Sequence, residues 1–180
     1  MTWKIDTTHS SITFSVRHMM FAKVRGSFQK WQGELELDES LTAGKVKVQI
    51  EASSIDTGVE QRDNHLRSPD FFDVAKYPSL SFESRKVTAK GKDRFTIEGD
   101  LTLHGISKPV TLEVENLGNG KDPWGNQRVG FLATARIDRR EFGLGWNQAL
   151  EAGGVLVSEN IDIEINVQAV SDSAQAKKAS

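Results

Sequence analysis

Cysteine is absent from all 180 residues, which excludes disulfides, a thiol nucleophile and thiolate ligands for a metal. An excess of charge of one sign is missing as well, because 23 Lys and Arg residues stand against 25 Asp and Glu residues and give a formal net charge of −2. The two signs are mixed along the chain, so no extended basic face is available for a phosphate backbone. Nucleic acid is therefore not expected as a partner.

Long apolar runs are also missing. No stretch approaches the roughly 18 apolar residues of a membrane-spanning helix, so a spanning segment is not expected. The first residues, MTWKIDTTHSSITF, have neither the basic region nor the uninterrupted apolar region of a secretory signal, and we expect a cytoplasmic protein. The last ten residues, SDSAQAKKAS, are small and polar and are expected to fray in solvent as a disordered tail over residues 171–180.

The feature that dominates the chain is an alternation of apolar and polar residues with a period of two, which is typical of strands with one buried face. Residues 95–103, FTIEGDLTL, are a clear example. About eight such segments occur, joined largely by short turns and without the helices that parallel strands need between them. We predict an all-β domain over residues 1–170, and an antiparallel barrel of about eight strands satisfies this pattern. A sandwich stays open, since the pattern does not count hydrogen bonds.

One stretch, residues 54–82, breaks the alternation and predicts a short helical insertion over about residues 57–76. Thr57 and Glu60 have the spacing of a capping box, which predicts a helix that starts near Gly58. Ser68 and Pro69 suit the N-cap and first position of a second helical turn, which we expect to run through Phe72. A smaller irregularity, a change of parity between Phe28 and Trp31, predicts a bulge or bend.

The side chains that are predicted to face inward from the strands are unusually apolar, and two interpretations stay open. Most buried hydrophobic residues simply pack, which favours a filled core. Small inward residues such as Gly26, Gly33, Gly99 and Ala133 leave room, however, and favour a cavity for an apolar guest. In the second case the expected lining comprises residues of the inward parity and of the insertion: Phe14, Val16, Val48, Ile50, Phe71, Phe72, Phe82, Phe95, Ile97, Phe131 and Ile163.

Catalytic and metal-binding patterns are weak. The four histidines, His9, His18, His65 and His104, do not have the spacing of a zinc site, so no metal is predicted. Ser10, His65 and Asp63 supply the residue types of a hydrolase triad, but no nucleophile-elbow motif accompanies them. We therefore predict no catalytic residues and no enzyme activity.

Several motifs together resemble one family. They are WKIDTTHSSITFSVRH at residues 3–18, RDNHLRSPDFFD at 62–73, GDLTLHG at 99–105 and RREFG at 139–143. They resemble the YceI-like family of polyisoprenoid-binding proteins over roughly residues 3–170. The resemblance implies a lipocalin-like barrel that holds an isoprenoid chain in its cavity, commonly as a homodimer, in a family whose members often carry a periplasmic signal peptide.

An isoprenoid ligand can end in a pyrophosphate, and guanidinium groups bind phosphate oxygens in a bidentate manner. Arg62, His65 and Arg67 are therefore the candidates for binding a head group, and the arginines at 25, 139 and 140 are weaker ones. The alternative, which we favour, is that the three residues pair with the aspartates at 63, 70 and 73 and hold the insertion against the barrel.

The function that these observations favour is non-enzymatic carriage or sequestration of a long apolar lipid such as an isoprenoid, a quinone or a polyprenyl phosphate. No cofactor is expected beyond a bound lipid. An enzyme that acts on such a lipid, and an interaction scaffold with a filled core, are the alternatives that the sequence leaves open.

Overall fold

The computed structural model describes residues 2–39, 43–147 and 157–171. Within these ranges the chain forms one antiparallel sheet, one α-helix and two short 3₁₀ helices, Ala52–Ser54 and Arg139–Phe142. The strands are β1 Thr2–Ile5, β2 Ser11–His18, β3 Ala22–Phe28, β4 Trp31–Leu37, β5 Ala43–Glu51, β6 Ile55–Asp56, β7 Ser79–Ala89, β8 Arg94–Leu103, β9 Ile106–Lys121, β10 Gln127–Asp138 and β11 Asn160–Ser171, and helix α1 is Glu60–Arg67.

The sheet closes on itself. Strands β1 and β2 lie along the same edge of β11, with Trp3 opposite Ser171 and Ser15 opposite Asp162. Strands β4 and β3 follow on their other side, and β5 and β6 come next. Strands β1 and β2, β3 and β4, and β5 and β6 thus form three long strands, each with a break. Together with β7 to β11 they make a barrel of eight strands in chain order. The predicted antiparallel eight-stranded barrel is confirmed, and the sandwich is excluded.

The break between β3 and β4 lies where the change of parity predicts it. Around Gln29 and Lys30 the ladder is replaced by two hydrogen bonds, from the Gln29 amide to the Ser54 carbonyl and from the Glu51 amide to the Lys30 carbonyl. Their donor–acceptor distances are 3.1 and 2.9 Å. The break adds one residue to the strict alternation, which reverses the faces of the side chains that follow and keeps Trp31 directed inward.

Two inward glycines serve close packing rather than open space. A Cβ at Gly26 would lie 2.4 Å from the ring of Phe14, and one at Gly99 would lie 2.5 Å from the ring of Phe82. The phenylalanine rings therefore occupy the room that these glycines leave. This corrects the expectation that Gly26 and Gly99 widen the interior.

The insertion between β6 and β7 is helical, but the capping-box prediction is wrong. Helix α1 begins at Glu60, after a residue without a side-chain cap. The Thr57 hydroxyl and amide both donate to the carboxylate of Asp63, because Gly58 turns the chain with a φ of +82° and brings Thr57 over the first turn. None of the helices in the described ranges is long and apolar enough to cross a membrane.

The predicted second helical turn is a simple turn. The Ser68 hydroxyl donates to the carbonyl of His65, so it closes α1 instead of starting another helix. The amide of Phe71 then donates to the Ser68 carbonyl at 3.0 Å. We refer to residues 57–78 as the cap, to the end of the barrel that they cover as the cap end, and to the opposite end as the far end.

The far end is held by an ionic network. Arg128 donates to Asp6 at 2.8 Å and to Asp122 at 2.9 Å, and His9 contacts the Asp6 carboxylate at 2.8 Å. Burial raises the pKa of Asp6, but hydrogen bonds from Arg128, His9 and the Thr8 amide outweigh it and lower the pKa to about 2. The ionised carboxylate thus stabilises the fold above its unfolded pKa of about 4, and this contribution is lost as the pH falls towards 2.

The first residue of the predicted tail belongs to a strand instead. Ser171 is the last residue of β11, and it is buried opposite Trp3. The remainder of that prediction, residues 172–180, lies outside the described residues.

Candidate ligand-binding cavity

The hydrophobic interior is divided into two clusters. The far-end cluster contains Trp3, Leu35 and Phe131, and the cap-end cluster contains Ile55 and Phe142. Between them lies a cavity of about 210 Å³. Four partly buried residues border both clusters at this level, namely Val48, Leu101, Val110 and Ile165.

The surface of the cavity is almost entirely hydrophobic. Apart from Thr13 and Arg139, every described residue that lines it has an apolar side chain. An apolar cavity of about 150 Å³ in another protein stays dry and binds benzene, so this one is large enough for an apolar group of at least that size. A water molecule finds no hydrogen-bond partner on such a surface, whereas a hydrocarbon group needs none.

The structure places all eleven residues that we expected as lining around this cavity: Phe14, Val16, Val48, Ile50, Phe71, Phe72, Phe82, Phe95, Ile97, Phe131 and Ile163. Several of them, including Val48 and Ile163, are only partly buried although their side chains face inward. They border the cavity instead of packing on neighbouring atoms over their whole surface. Their role in binding a ligand stays a prediction.

Other lining residues escaped the sequence reasoning. Ile12, Leu80 and Leu103 continue the parity of Phe14, Phe82 and Leu101, so the period-two pattern was able to reveal them. Leu144 and Val157 also line the cavity, but they lie in irregular chain without any periodic pattern. Only the three-dimensional structure identifies residues of this second kind.

The cap closes one end of the cavity with three apolar side chains, Leu66, Phe71 and Phe72. The ring of Phe72 contacts Phe28 of β3 edge-on, with 6.0 Å between the ring centres. The ring of Phe71 packs against Trp146 at 5.3 Å. The cap therefore touches the barrel wall on one side and the segment after β10 on the other.

The polar residues of the cap hold it in place. Arg62 donates to the hydroxyl and the carbonyl of Thr57 at 2.7 and 2.8 Å. Arg67 donates to the carbonyls of Ser53 and Ile55 at 2.9 and 3.0 Å.

His65 binds the Asp70 carboxylate at 2.9 Å and packs edge-on against Trp146 at 4.8 Å. The favoured alternative is thus correct for the pair of His65 with Asp70, but not for the arginines, which among the described residues bind carbonyls and side-chain oxygens rather than Asp63 or Asp73. Arg62, His65 and Arg67 are not among the residues that line the cavity.

A buried arginine fixes the segment beside the cap. Only 2% of Arg139 is exposed, and its guanidinium donates to the carbonyls of Leu144, Trp146, Val157 and Ser158 at 2.6, 2.9, 3.3 and 2.9 Å. Burial lowers the pKa of Arg139. We call this set of four bonds the Arg139 latch, because it ties residues 144–146 to residues 157–158.

The other weak head-group candidates lie outside the barrel. Arg25 is on the outer face of β3, and Arg140 pairs with Asp138 at 2.7 Å and with Glu159 at 3.1 Å.

The residue types of a hydrolase triad occupy separate places. Ser10 exchanges hydrogen bonds with the backbone of Gln168 towards the far end, whereas Asp63 and His65 lie in the cap with Thr57 and Asp70 as partners. The structure does not bring the three together.

The four histidines are also apart. His9 joins the far-end network, and His65 lies in the cap. The ring of His104 contacts Tyr77 and the Phe142 carbonyl, and His18 pairs with Val157 at the end of β2.

Comparison with known proteins identifies similar chains over nearly the whole length. The model of the YceI-like domain matches residues 3–169. A UPF0312 protein of Vibrio cholerae is 39% identical over 169 residues, which cover 92% of this chain and 85% of that protein.

Solved structures share the fold. The YCEI protein of Campylobacter jejuni is 28% identical, with a TM-score of 0.76 over 87% of this chain and 90% of its own. A polyisoprenoid binding domain from Saccharophagus degradans is 17% identical, with a TM-score of 0.68 over 94% of this chain and 98% of its own.

Proposed function

The chain belongs to the YceI-like family, and from that premise we propose that it binds a long apolar lipid of the isoprenoid class inside the barrel and carries or sequesters it without changing it chemically. The observation that carries this proposal is the cavity between the two core clusters, with its hydrophobic lining. The polyisoprenoid binding domain of Saccharophagus degradans supports the class of ligand through its similar fold.

The driving force is burial of the lipid chain. Each methylene that leaves water contributes about 0.8 kcal/mol, so a chain of several carbons needs little polar help to bind tightly. Arg62 donates to Thr57, Arg67 donates to the carbonyls of Ser53 and Ile55, and neither arginine lines the cavity. Affinity is therefore expected to come from the apolar chain rather than from a charged head group.

The size of the cavity limits how much of a long chain fits without movement. A volume of about 210 Å³ accepts one short segment. Leu66, Phe71 and Phe72 belong to the cap and not to a barrel strand, so they can move aside while the barrel keeps its ladder of hydrogen bonds. We infer that longer chains enter at the cap end by displacing these three side chains.

A chain-length series tests this function. Geraniol, farnesol and geranylgeraniol differ by one isoprene unit each, and we expect the affinity to rise by about tenfold or more per unit until the space is filled, because each unit adds buried apolar surface. Titration calorimetry measures the affinities and the heat capacity change, which we expect to be negative. The alcohols are expected to be recovered unchanged.

Farnesyl phosphate serves as the comparison ligand in the same titration. We expect the dissociation constants of farnesyl phosphate and farnesol to differ by less than about threefold, which corresponds to a free-energy difference below about 1 kcal/mol. Equal affinities for all three alcohols would contradict burial of the chain. A much tighter complex with farnesyl phosphate that is lost in an Arg67→Met variant would instead support the candidate role of Arg67 in binding a head group.

The compartment and the oligomeric state are part of the proposal and need their own measurements. Cell fractionation tests the cytoplasmic location, and sedimentation equilibrium tests the homodimer.

A further inference from the structure

The hairpin between β2 and β3 ends in an exposed apolar tip. Met19, Met20 and Phe21 are consecutive there, and 53% of Met20 and 76% of Phe21 are exposed to solvent. Three adjacent large apolar side chains that are exposed to this extent lose part of the stabilisation that burial provides. We refer to Met19, Met20 and Phe21 as the hairpin tip.

The backbone of the hairpin tip is strained, because two of its residues have positive φ angles without being glycine. Met19 and Met20 have φ angles of 53° and 68°, in the left-handed region. A turn of this shape is normally built from Gly, Asn or Asp, and a non-glycine residue costs on the order of 1 kcal/mol at each such position. The methionines are therefore poor choices for the turn itself, and their apolar side chains suggest a role outside the fold.

The flanks of the tip are basic. Arg17 lies directly opposite Lys23 on the outer face of the hairpin, and like charges in this arrangement are destabilising. The sequence contains no Asp or Glu between Asp6 and Glu34. Asp162, which pairs with Arg136, is close enough for Lys23 and Arg17 to help lower its pKa, but none of the ion pairs within 4 Å among the described residues involves Arg17, Lys23 or Arg25.

The tip belongs to the cap end of the barrel. His18, which precedes it, pairs with Val157, and the amide of Arg17 donates to the Ser158 hydroxyl at 3.0 Å. Val157 and Ser158 are two of the residues that the Arg139 latch holds, and Trp146, another of them, touches Phe71 of the cap. A continuous set of contacts thus joins the hairpin tip to the closed end of the cavity.

We propose that the hairpin tip docks into the surface of an anionic lipid bilayer, which turns the cap end of the barrel towards the membrane. Met and Phe side chains enter the boundary between head groups and acyl chains, while Arg17 and Lys23 lie at the level of the phosphates. Charge complementarity selects a bilayer over a second copy of this chain, because two basic flanks repel each other. Docking does not depend on which guest occupies the cavity.

The far end supplies a matched control. Leu117 and Trp124, on the β9–β10 hairpin, are 59% and 74% exposed, so they present a comparable apolar surface. The carboxylates of Asp6 and Asp122 offset the charges of Arg128 and Lys121 there, so this hairpin has no net positive charge that would attract an anionic bilayer. The proposal therefore predicts that these two residues do not contribute to docking.

Flotation with lipid vesicles tests the proposal. Full-length protein is expected to float with vesicles of phosphatidylglycerol and phosphatidylcholine in equal parts, and to do so less at high salt. The Arg17→Gln/Lys23→Gln variant is expected to bind about 25-fold more weakly, from about fivefold per lost charge. The Met20→Ser/Phe21→Ser variant is expected to lose about tenfold or more, because its apolar side chains are gone.

Two control variants separate docking at the tip from general adhesion of apolar surface and from binding inside the barrel. Leu117→Ser/Trp124→Ser is expected to float like the unchanged protein, and so is the cavity variant Val48→Phe. Equal losses at both hairpins, or no flotation of the unchanged protein, would overturn the proposal. A dimer that dissociates in Met20→Ser/Phe21→Ser, without any vesicle binding, would assign the tip to a second copy instead.

Discussion

The Val48→Phe variant is expected to stay folded and to bind geranylgeraniol about hundredfold more weakly than the unchanged protein. Val48 lines the cavity and borders both core clusters, so the larger ring enters space that an apolar guest uses. A hundredfold loss corresponds to about 2.8 kcal/mol, which equals the burial of three or four methylenes. Titration calorimetry of the two proteins under one set of conditions measures the difference.

The same substitution at Val87 is the control. Val87 lies on β7 and packs against the far-end cluster, but it is not among the residues that line the cavity. Val87→Phe is therefore expected to change the affinity by less than about threefold, whatever it costs in stability. Undiminished binding by Val48→Phe would place the guest elsewhere, and equal losses in both variants would show a general effect on the fold.

The second large effect is expected at the Arg139 latch. Arg139→Met keeps an unbranched apolar side chain in place of the arginine stem but removes every donor, so four backbone carbonyls at the cap end lose their partner. An unsatisfied buried acceptor costs about 1–3 kcal/mol, and release of the buried charge offsets part of the sum. We expect the free energy of unfolding to fall by about 3 kcal/mol in urea denaturation.

Two further variants test whether the loss of stability comes from the hydrogen bonds of Arg139. Arg140→Met removes an exposed arginine that pairs with Asp138, and it is expected to cost less than about 1 kcal/mol. Arg139→Lys keeps the charge, but one ammonium cannot reach four carbonyls, so it is expected to recover only part of the loss. If Arg139→Met costs no more than Arg140→Met, other bonds, such as those between Asn147 and Val157, hold the segment.

The barrel was predictable because each strand has one face inside. In β8, Phe95, Ile97, Leu101 and Leu103 share a parity, and all four line the cavity. The break between Phe28 and Trp31 could be predicted for the same reason, since one extra residue reverses the parity. Local patterns therefore identified the strands, their inward faces and the position of one kink.

Features that depend on competing or distant hydrogen-bond partners could not be predicted from the sequence. Thr57 suits a capping box, but the carboxylate of Asp63 takes its hydroxyl, and a spacing rule does not weigh that competition. Arg139 gave no sign that it is buried, because its acceptors lie in irregular chain up to 19 residues away. Whether the core is filled depends on a small difference between the barrel volume and the summed side-chain volumes, which the order of residues does not reveal.

Native mass spectrometry of the protein purified from its own cells is the most direct test of lipid binding in the barrel. We expect a noncovalent adduct whose mass identifies an apolar lipid, present on the unchanged protein and on Val87→Phe but missing from Val48→Phe. Organic extraction is expected to return the same lipid. Protein that carries no lipid in any preparation, or an adduct that persists in Val48→Phe, would contradict the assignment of the cavity as the binding site.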